Sequence, residues 1–262
     1  MLDISVIVVM RISLYLLFFT GGFLLIRMLQ TRLYNLLGLV LFFILYPLQL
    51  LFSIYFDPIF SLLIIDTYYV FLALFVKQTF YREQNRFYSV LLYSLAGLRI
   101  YEFIIQLIFN FHSNEIPFAN FLGLAFYYTF LISKSLQEFI AITWLVVAAF
   151  STYRNLRKID IKNWIKARYL IIGLSASAFY LTMINSFIIL INQSFTDVFS
   201  IYLSVVVITI FSFSNLIAWI FPKIIPRNML KEIILEEEKL SENDLIIQIK
   251  KELSFSSKNG NN

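Results

Sequence analysis

The feature that most constrains this chain is a series of apolar segments, each close to the length of a helix that crosses a bilayer. Hydrophobic residues make up 60% of the chain and charged residues only 14%, whereas a soluble domain carries about 25% charged residues. A helix needs roughly 20 apolar residues to cross about 30 Å of hydrocarbon, and these segments fit that length better than they fit short barrel strands. We therefore predict an all-α, multi-pass integral membrane protein of the cell membrane, in contact with the lipid bilayer.

Seven apolar segments predict a seven-transmembrane-helix bundle. The fifth segment is the longest, and it is interpreted as one crossing because two helices would be too short there. The first segment has no basic residue before its apolar run, so we expect a retained span rather than a removed signal peptide. Residues 1–222 are thus interpreted as the transmembrane domain and 223–262 as a cytoplasmic tail. The predicted spans are 4–25, 34–56, 60–76, 88–111, 121–150, 169–191 and 198–221.

The positions of the basic residues indicate the orientation of the bundle. Arg11, Arg99 and Lys134 lie within predicted spans, and the rest of the 21 Lys and Arg residues fall after spans 1, 3 and 5 or in the tail. The positive-inside rule therefore predicts an outside N-terminus and a cytoplasmic C-terminus. The net charge of +5 is explained by these cytoplasmic connections, so no nucleic-acid partner is expected.

The composition of the tail differs from that of the bundle, because the tail is rich in both acidic and basic residues. Leu245, Ile249 and Leu253 fall on one stripe of a helix. We expect a short amphipathic helical tail with a disordered end. Residues 229–253 would pack on the bundle, mediate self-association or bind a cytoplasmic protein partner.

Six charged residues lie deep within the predicted spans, where a charge usually needs a partner or a function. In the fourth span, Arg99, Glu102 and Gln106 follow i, i+3, i+7 spacing and form one polar stripe. In the fifth span, Lys134 and Glu138 are i, i+4 neighbours that can pair within the helix. The full candidate set for a ligand site or ion pathway is Arg11, Asp66, Arg99, Glu102, Gln106, Tyr127, Lys134 and Glu138.

Several functions fit such a set of intramembrane charges. The simplest interpretation is that the charges pair and only hold the bundle in register. Our leading hypothesis is a sensor or receptor-like protein with a polar pocket near the bilayer midplane that binds a charged or zwitterionic small ligand. A small solute or proton-coupled transporter using the same charges is the alternative, and an accessory or assembly subunit is the third.

Catalytic and metal-binding signatures are missing from the sequence. The chain has no cysteine and a single histidine, His112, and no motif of a common nucleophile, phosphate loop or zinc site occurs in it. We therefore expect no enzyme activity, no metal site and no cofactor.

Overall fold

The protein is built from helices. The computed structural model describes residues 4–55, 67–81, 86–109, 121–158, 163–191 and 197–224. Within these ranges 97% of the residues are helical and no strand is found. A short 3-10 helix, Tyr34–Leu36, precedes the second α-helix. The α-helices are α1 (Ile4–Thr31), α2 (Leu37–Tyr55), α3 (Thr67–Phe80), α4 (Arg86–Phe109), α5 (Phe121–Arg157), α6 (Asn163–Ser177), α7 (Phe179–Ile191) and α8 (Asp197–Ile224).

Five helical segments in the described ranges are long and apolar enough to cross a membrane. An additional apolar helix, Tyr34–Gln49, is shorter. The chain is therefore an integral membrane protein by the length and composition of its helices, while seven crossings and the orientation of the bundle stay predictions. The five segments are Arg11–Thr31, Arg86–Leu107, Tyr128–Arg157, Asn163–Asn185 and Tyr202–Trp219.

The outward faces of the helices are apolar. On α1, Ile12, Tyr15 and Phe19 are 61%, 75% and 63% exposed and lie on one face at i, i+3, i+7 spacing. On α4, Ile100 and Ile104 are exposed in the same way. Such faces would be poorly solvated by water and well solvated by lipid chains. Their arrangement supports the membrane interpretation independently of segment length.

An aromatic core joins α8 to α2 and α7. Phe42, Phe43 and Phe211 are fully buried. The ring of Phe211 stacks on Phe43 with 5.6 Å between centroids, and it meets Phe42 and Phe179 edge-on at 5.7 and 5.1 Å. Offset and edge-to-face contacts of this kind add to the stabilisation from burial. Elsewhere α1 packs on α2, α2 on α3, α5 on α6, and α3, α4 and α5 on one another.

Glycine allows α2 to approach α3 very closely. A Cβ added at Gly38 would collide with the carbonyl oxygen of Phe71 and would lie 2.6 Å from the amide nitrogen of Phe75. Both atoms belong to the backbone of α3, which cannot move aside as a flexible side chain can. The start of α2 is therefore held against α3 by a contact that only glycine permits.

The chain divides into two units after Trp219. The first, Met1–Trp219, is compact and contains every side-chain contact discussed below. Of the second, Ile220–Asn262, the structure describes only the last turn of α8, through Ile224. The amphipathic helix predicted around Leu245, Ile249 and Leu253 lies outside the described residues, so the interpretation of 223–262 stays a prediction.

Candidate functional site

The polar stripe of α4 is turned towards the other helices. Arg99, Glu102 and Gln106 are only 7%, 0% and 3% exposed, whereas Ile100 and Ile104 between them are exposed. This burial agrees with the i, i+3, i+7 spacing in the sequence, which places the three polar side chains on one face. Two opposite charges and an amide are therefore enclosed within the bundle.

Each of the two charges is bonded to a hydroxyl group of a different helix. The Nε of Arg99 donates a hydrogen bond to Oγ1 of Thr67 at the start of α3, with 2.9 Å between the atoms. The Oγ of Ser133 on α5 donates to Oε1 of Glu102 at 3.1 Å. The guanidinium of Arg99 also lies 5.9 Å from the ring centroid of Phe103. Through these bonds α4 is coupled to α3 by its positive residue and to α5 by its negative one.

Further polar contacts tie α4 to α5 on either side of Glu102. The Nε2 of Gln137 donates to the carbonyl oxygen of Leu95 at 3.3 Å, and the hydroxyl of Tyr101 donates to Oγ1 of Thr129 at 2.8 Å. Thr129, Ser133 and Gln137 follow one another at i, i+4, i+8, so they present a single polar edge of α5.

This group of side chains is called the polar cluster below. From Arg99 to Gln106 it extends over roughly 10 Å of α4 at 1.5 Å per residue, about a third of the thickness of the hydrocarbon layer. Its members are Thr67, Arg99, Glu102, Gln106, Ser133 and Gln137.

Two amide oxygens of the polar cluster are buried without a hydrogen-bond donor in the part of the chain that the structure describes. They are Oε1 of Gln106 and Oε1 of Gln137. An unsatisfied buried acceptor costs about 1–3 kcal/mol, so each of these atoms is a position where a donor from outside the described residues would be stabilised.

The other candidates from the sequence occupy different surroundings. Lys134 and Glu138 are half-buried on α5. They directly follow Ser133 and Gln137 of the polar edge. Arg11 is exposed on α1, a helix that packs on α2. Asp66 and the side chain of Tyr127 lie outside the described residues. The structure thus brings Arg99, Glu102 and Gln106 together, while a binding role for any of the eight stays a prediction.

Sequence reasoning missed the neutral partners of the charges. It selected residues by charge within apolar segments, and Thr67, Ser133 and Gln137 carry none. A usable signal was present, because Thr129, Ser133 and Gln137 recur every four residues along an apolar helix. That period marks one face as clearly as the charges on α4 do.

Arg168 corrects one sequence interpretation. It was grouped with the basic connection that precedes span 169–191, but α6 begins at Asn163, and Arg168 is only 5% exposed. Its guanidinium lies 5.1 Å from the ring centroid of Trp164 and 4.6 Å from that of Trp219. Its Nε donates to the carbonyl oxygen of Ala218 at 3.0 Å. Two aromatic faces and a carbonyl therefore allow a cation to be buried at this position.

Hydroxyl pairs connect α1 to α8. Ser13 and Thr209 lie 3.2 Å apart between their oxygens, and Thr20 and Ser212 lie 2.6 Å apart. Hydroxyls routinely bond across membrane helices, so these pairs are explained as packing contacts rather than as part of a site.

An aromatic stack follows the end of α3. The rings of Tyr81 and Tyr88 are 3.8 Å apart between centroids, and Tyr88 stacks on Trp144 at 5.7 Å. Burial raises the pKa of Tyr81 from 10.0 to about 12, and the Tyr88 phenol adds to the shift through its charge and a hydrogen bond. Tyr81 is therefore a neutral packing residue at physiological pH.

Comparison of the chain with models of protein families, with curated proteins and with solved structures finds no match. The function is therefore inferred from the chemistry of the polar cluster. Arg99 presents a planar set of donors that suits carboxylate or phosphate groups. Glu102 and the amide oxygens accept hydrogen bonds. The polar cluster can accordingly hold an anionic group and a cationic group at neighbouring positions of one helix.

Proposed function

We propose that this chain is a seven-transmembrane sensor or receptor-like protein of the cell membrane that binds a charged or zwitterionic small solute in the polar cluster. The observation that carries this proposal is the burial of Arg99 and Glu102 on one face of α4, each bonded to a hydroxyl of another helix. Charged groups inside a membrane bundle are expensive and usually mark functional sites.

Binding would give Arg99 and Glu102 partners of opposite charge on the solute. An anionic group on the solute would accept from the Arg99 guanidinium, and a cationic group would donate to the Glu102 carboxylate. Bonds in which both groups are charged are stronger than the bonds that the hydroxyls of Thr67 and Ser133 provide. The hydroxyls would then be released, which weakens the coupling of α4 to α3 and α5. A solute that favours this second arrangement shifts the population of the bundle, and the predicted cytoplasmic tail would transmit the change.

Thermal unfolding of the purified protein in detergent tests the proposal. The probes are glycine betaine, 4-aminobutyrate, glutamate and putrescine, which differ in the sign and separation of their charges. A solute at 100 times its dissociation constant stabilises the folded state by about 2.7 kcal/mol, or roughly 5–10 °C for a chain of this size. We expect at least one probe to produce such a shift.

The variants Arg99→Gln and Glu102→Gln should abolish the shift, because each removes one charge and keeps most of the side-chain volume. Thr20→Val is the matched control, since it removes a buried polar contact between α1 and α8 and leaves the polar cluster intact. A shift that survives in both charge variants would rule out the polar cluster as the binding site.

A carrier is the second candidate, because buried charges of both signs inside a membrane bundle also mark solute and ion pathways. The same charges would then bind and release solute or protons during alternating access. Solute flux into liposomes that contain only this protein would support the carrier, and binding without flux would support the sensor.

A further inference from the structure

We infer that the cationic part of the solute is an organic ammonium group, held between Glu102 and Gln106 on α4. This inference rests on the proposed function and gives the chemical class of one half of its ligand. Three features of the structure bear on it: an unsatisfied buried amide oxygen, the position of its side chain one turn from Glu102, and aromatic residues packed at the adjacent position of α4.

The first feature is the amide of Gln106. The side chain is 3% exposed, and its Oε1 accepts no hydrogen bond from any residue that the structure describes. A buried acceptor requires a donor, and the hydroxyl of Ser133 already donates to Glu102. An added N–H group would therefore be stabilised next to Gln106.

The second feature is the position of Gln106 relative to Glu102. The two residues are four apart, so they lie on one face of α4 at neighbouring turns. Side chains in a helix lean towards its N-terminus, which directs the Gln106 amide over the turn that carries Glu102. A carboxylate and an amide oxygen thus face a common position. Both groups accept hydrogen bonds, so a cation with several N–H donors can bond to both.

The third feature is the aromatic surroundings. Phe130 on α5 is 8% exposed and packs on Ile105, the residue before Gln106, and Tyr101 and Phe126 pack against this pair. Aromatic residues at this adjacent position of the helix are compatible with an ammonium group, because the faces of aromatic rings attract such cations. A bare Ca²⁺ ion would instead need six to eight oxygen ligands, and the described residues contain no group of three acidic or histidine side chains suited to a metal.

Arg99 sets the direction and the length of the solute. It lies on the other side of Glu102 from Gln106, so the anionic part of the solute would bind towards Thr67 and the ammonium group towards Gln106. Arg99 and Gln106 are seven residues apart, or roughly 10 Å along the helix axis. The solute should therefore be a small zwitterion whose opposite charges are separated by no more than about this distance.

Thermal unfolding with single-charge probes tests the inference. The probes are methylammonium, tetramethylammonium, sodium and acetate, each as a salt at the same ionic strength. Methylammonium should stabilise the protein most among the cations, and tetramethylammonium less, because it has no N–H to donate. Gln106→Met should weaken methylammonium binding by about 10- to 100-fold, the value of one hydrogen bond to a charged group.

Asn215→Leu is the matched control for Gln106→Met. Asn215 on α8 is also fully buried, and its Oδ1 also lacks a donor among the described residues, but it is not part of the polar cluster. This variant should bind methylammonium as the wild type does. Gln106→Asn keeps an amide at the position and should retain part of the affinity, which distinguishes a lost hydrogen bond from a disturbed fold.

The outcomes separate this inference from the function on which it rests. Stabilisation by acetate that depends on Arg99, without any effect of ammonium probes, would overturn the ammonium site and leave the solute-binding proposal standing. An equal effect of sodium and methylammonium that persists in Gln106→Met would also overturn the ammonium site. No effect of any single-charge probe or zwitterion would overturn both.

Discussion

Arg168 donates to a carbonyl whose usual donor position, four residues later, is a proline, and this relation gives a quantitative prediction. In an α-helix the carbonyl oxygen of a residue accepts from the N–H four positions later. α8 continues through Ile224, so the carbonyl of Ala218 would accept from residue 222. That residue is Pro222, which has no N–H. The Nε of Arg168 donates to this carbonyl at 3.0 Å in its place.

The variant Arg168→Met removes this donor and leaves the Ala218 carbonyl unsatisfied, which costs about 1–3 kcal/mol. It also removes the guanidinium from the faces of Trp164 and Trp219, 5.1 and 4.6 Å away, at about 0.5–2 kcal/mol for each ring. The apolar side chain of methionine and the removal of a buried charge offset part of this destabilisation. We expect a net destabilisation of about 2–4 kcal/mol.

A double-mutant cycle isolates the contribution of the carbonyl. Pro222→Ala restores an N–H at residue 222, so Ala218 regains a donor within its own helix. The cost of Arg168→Met should then be about 1–2 kcal/mol smaller in the Pro222→Ala background than in the wild type. The assay is equilibrium unfolding in mixed micelles with a rising fraction of denaturing detergent, followed by circular dichroism. If the destabilisation of the double variant equals the sum of the two single-variant values to within about 0.5 kcal/mol, Arg168 does not act through the Ala218 carbonyl.

Two further predictions follow from Gly38 and Tyr81. Gly38→Ala should destabilise the fold by about 2 kcal/mol or more in the same unfolding assay, because its Cβ meets backbone atoms of α3. Gly97→Ala is the control, because its Cβ would have no atom within 4 Å, and its free energy of unfolding should stay within about 1 kcal/mol of the wild-type value. Equal destabilisation by Gly38→Ala and Gly97→Ala would contradict the close approach of α2 to α3. The phenolate absorbance of Tyr81 is measured as the difference between the wild type and Tyr81→Phe. It should titrate with a pKa of about 12 rather than 10.0. The folded protein keeps the Tyr81 proton at a pH where the unfolded chain has lost it. The contribution of Tyr81 to stability is therefore present below pH 10 and disappears as the pH rises towards 12. A titration midpoint of the Tyr81 phenol near pH 10 would contradict its burial.

Local features of the sequence predicted that the protein is helical and which face of α4 is buried. The length of an apolar segment can be determined from neighbouring residues alone. It predicts helices, and helices make up 97% of the described ranges. The spacing of Arg99, Glu102 and Gln106 likewise fixes one face of a helix, and that face is buried while Ile100 and Ile104 are exposed. Both inferences succeed because they require no knowledge of which helix packs on which.

The partners of the polar residues could not be predicted, because they depend on how the helices pack. Arg168 bonds to a carbonyl 50 residues further along the chain, and only the contact between α6 and α8 brings the two together. A hydropathy window assigns such an arginine to a connection, since it does not register the aromatic faces of Trp164 and Trp219. In the same way, nothing local links Arg99 to Thr67 or Glu102 to Ser133.

The two buried arginines differ in a way that favours Arg99 as the functional one. If Arg168 moved, it would leave the Ala218 carbonyl without a donor, because Pro222 cannot replace it. Thr67 and Ser133 are hydroxyl partners, and hydroxyls on helices can bond to their own backbone instead. Thr129, one turn from Ser133 on α5, already donates to the carbonyl of Phe126 at 2.9 Å. A hydroxyl that is released by a solute can therefore bond to the backbone of its own helix. The polar cluster is suited to exchange, whereas the contacts of Arg168 are suited to a fixed joint between α6 and α8.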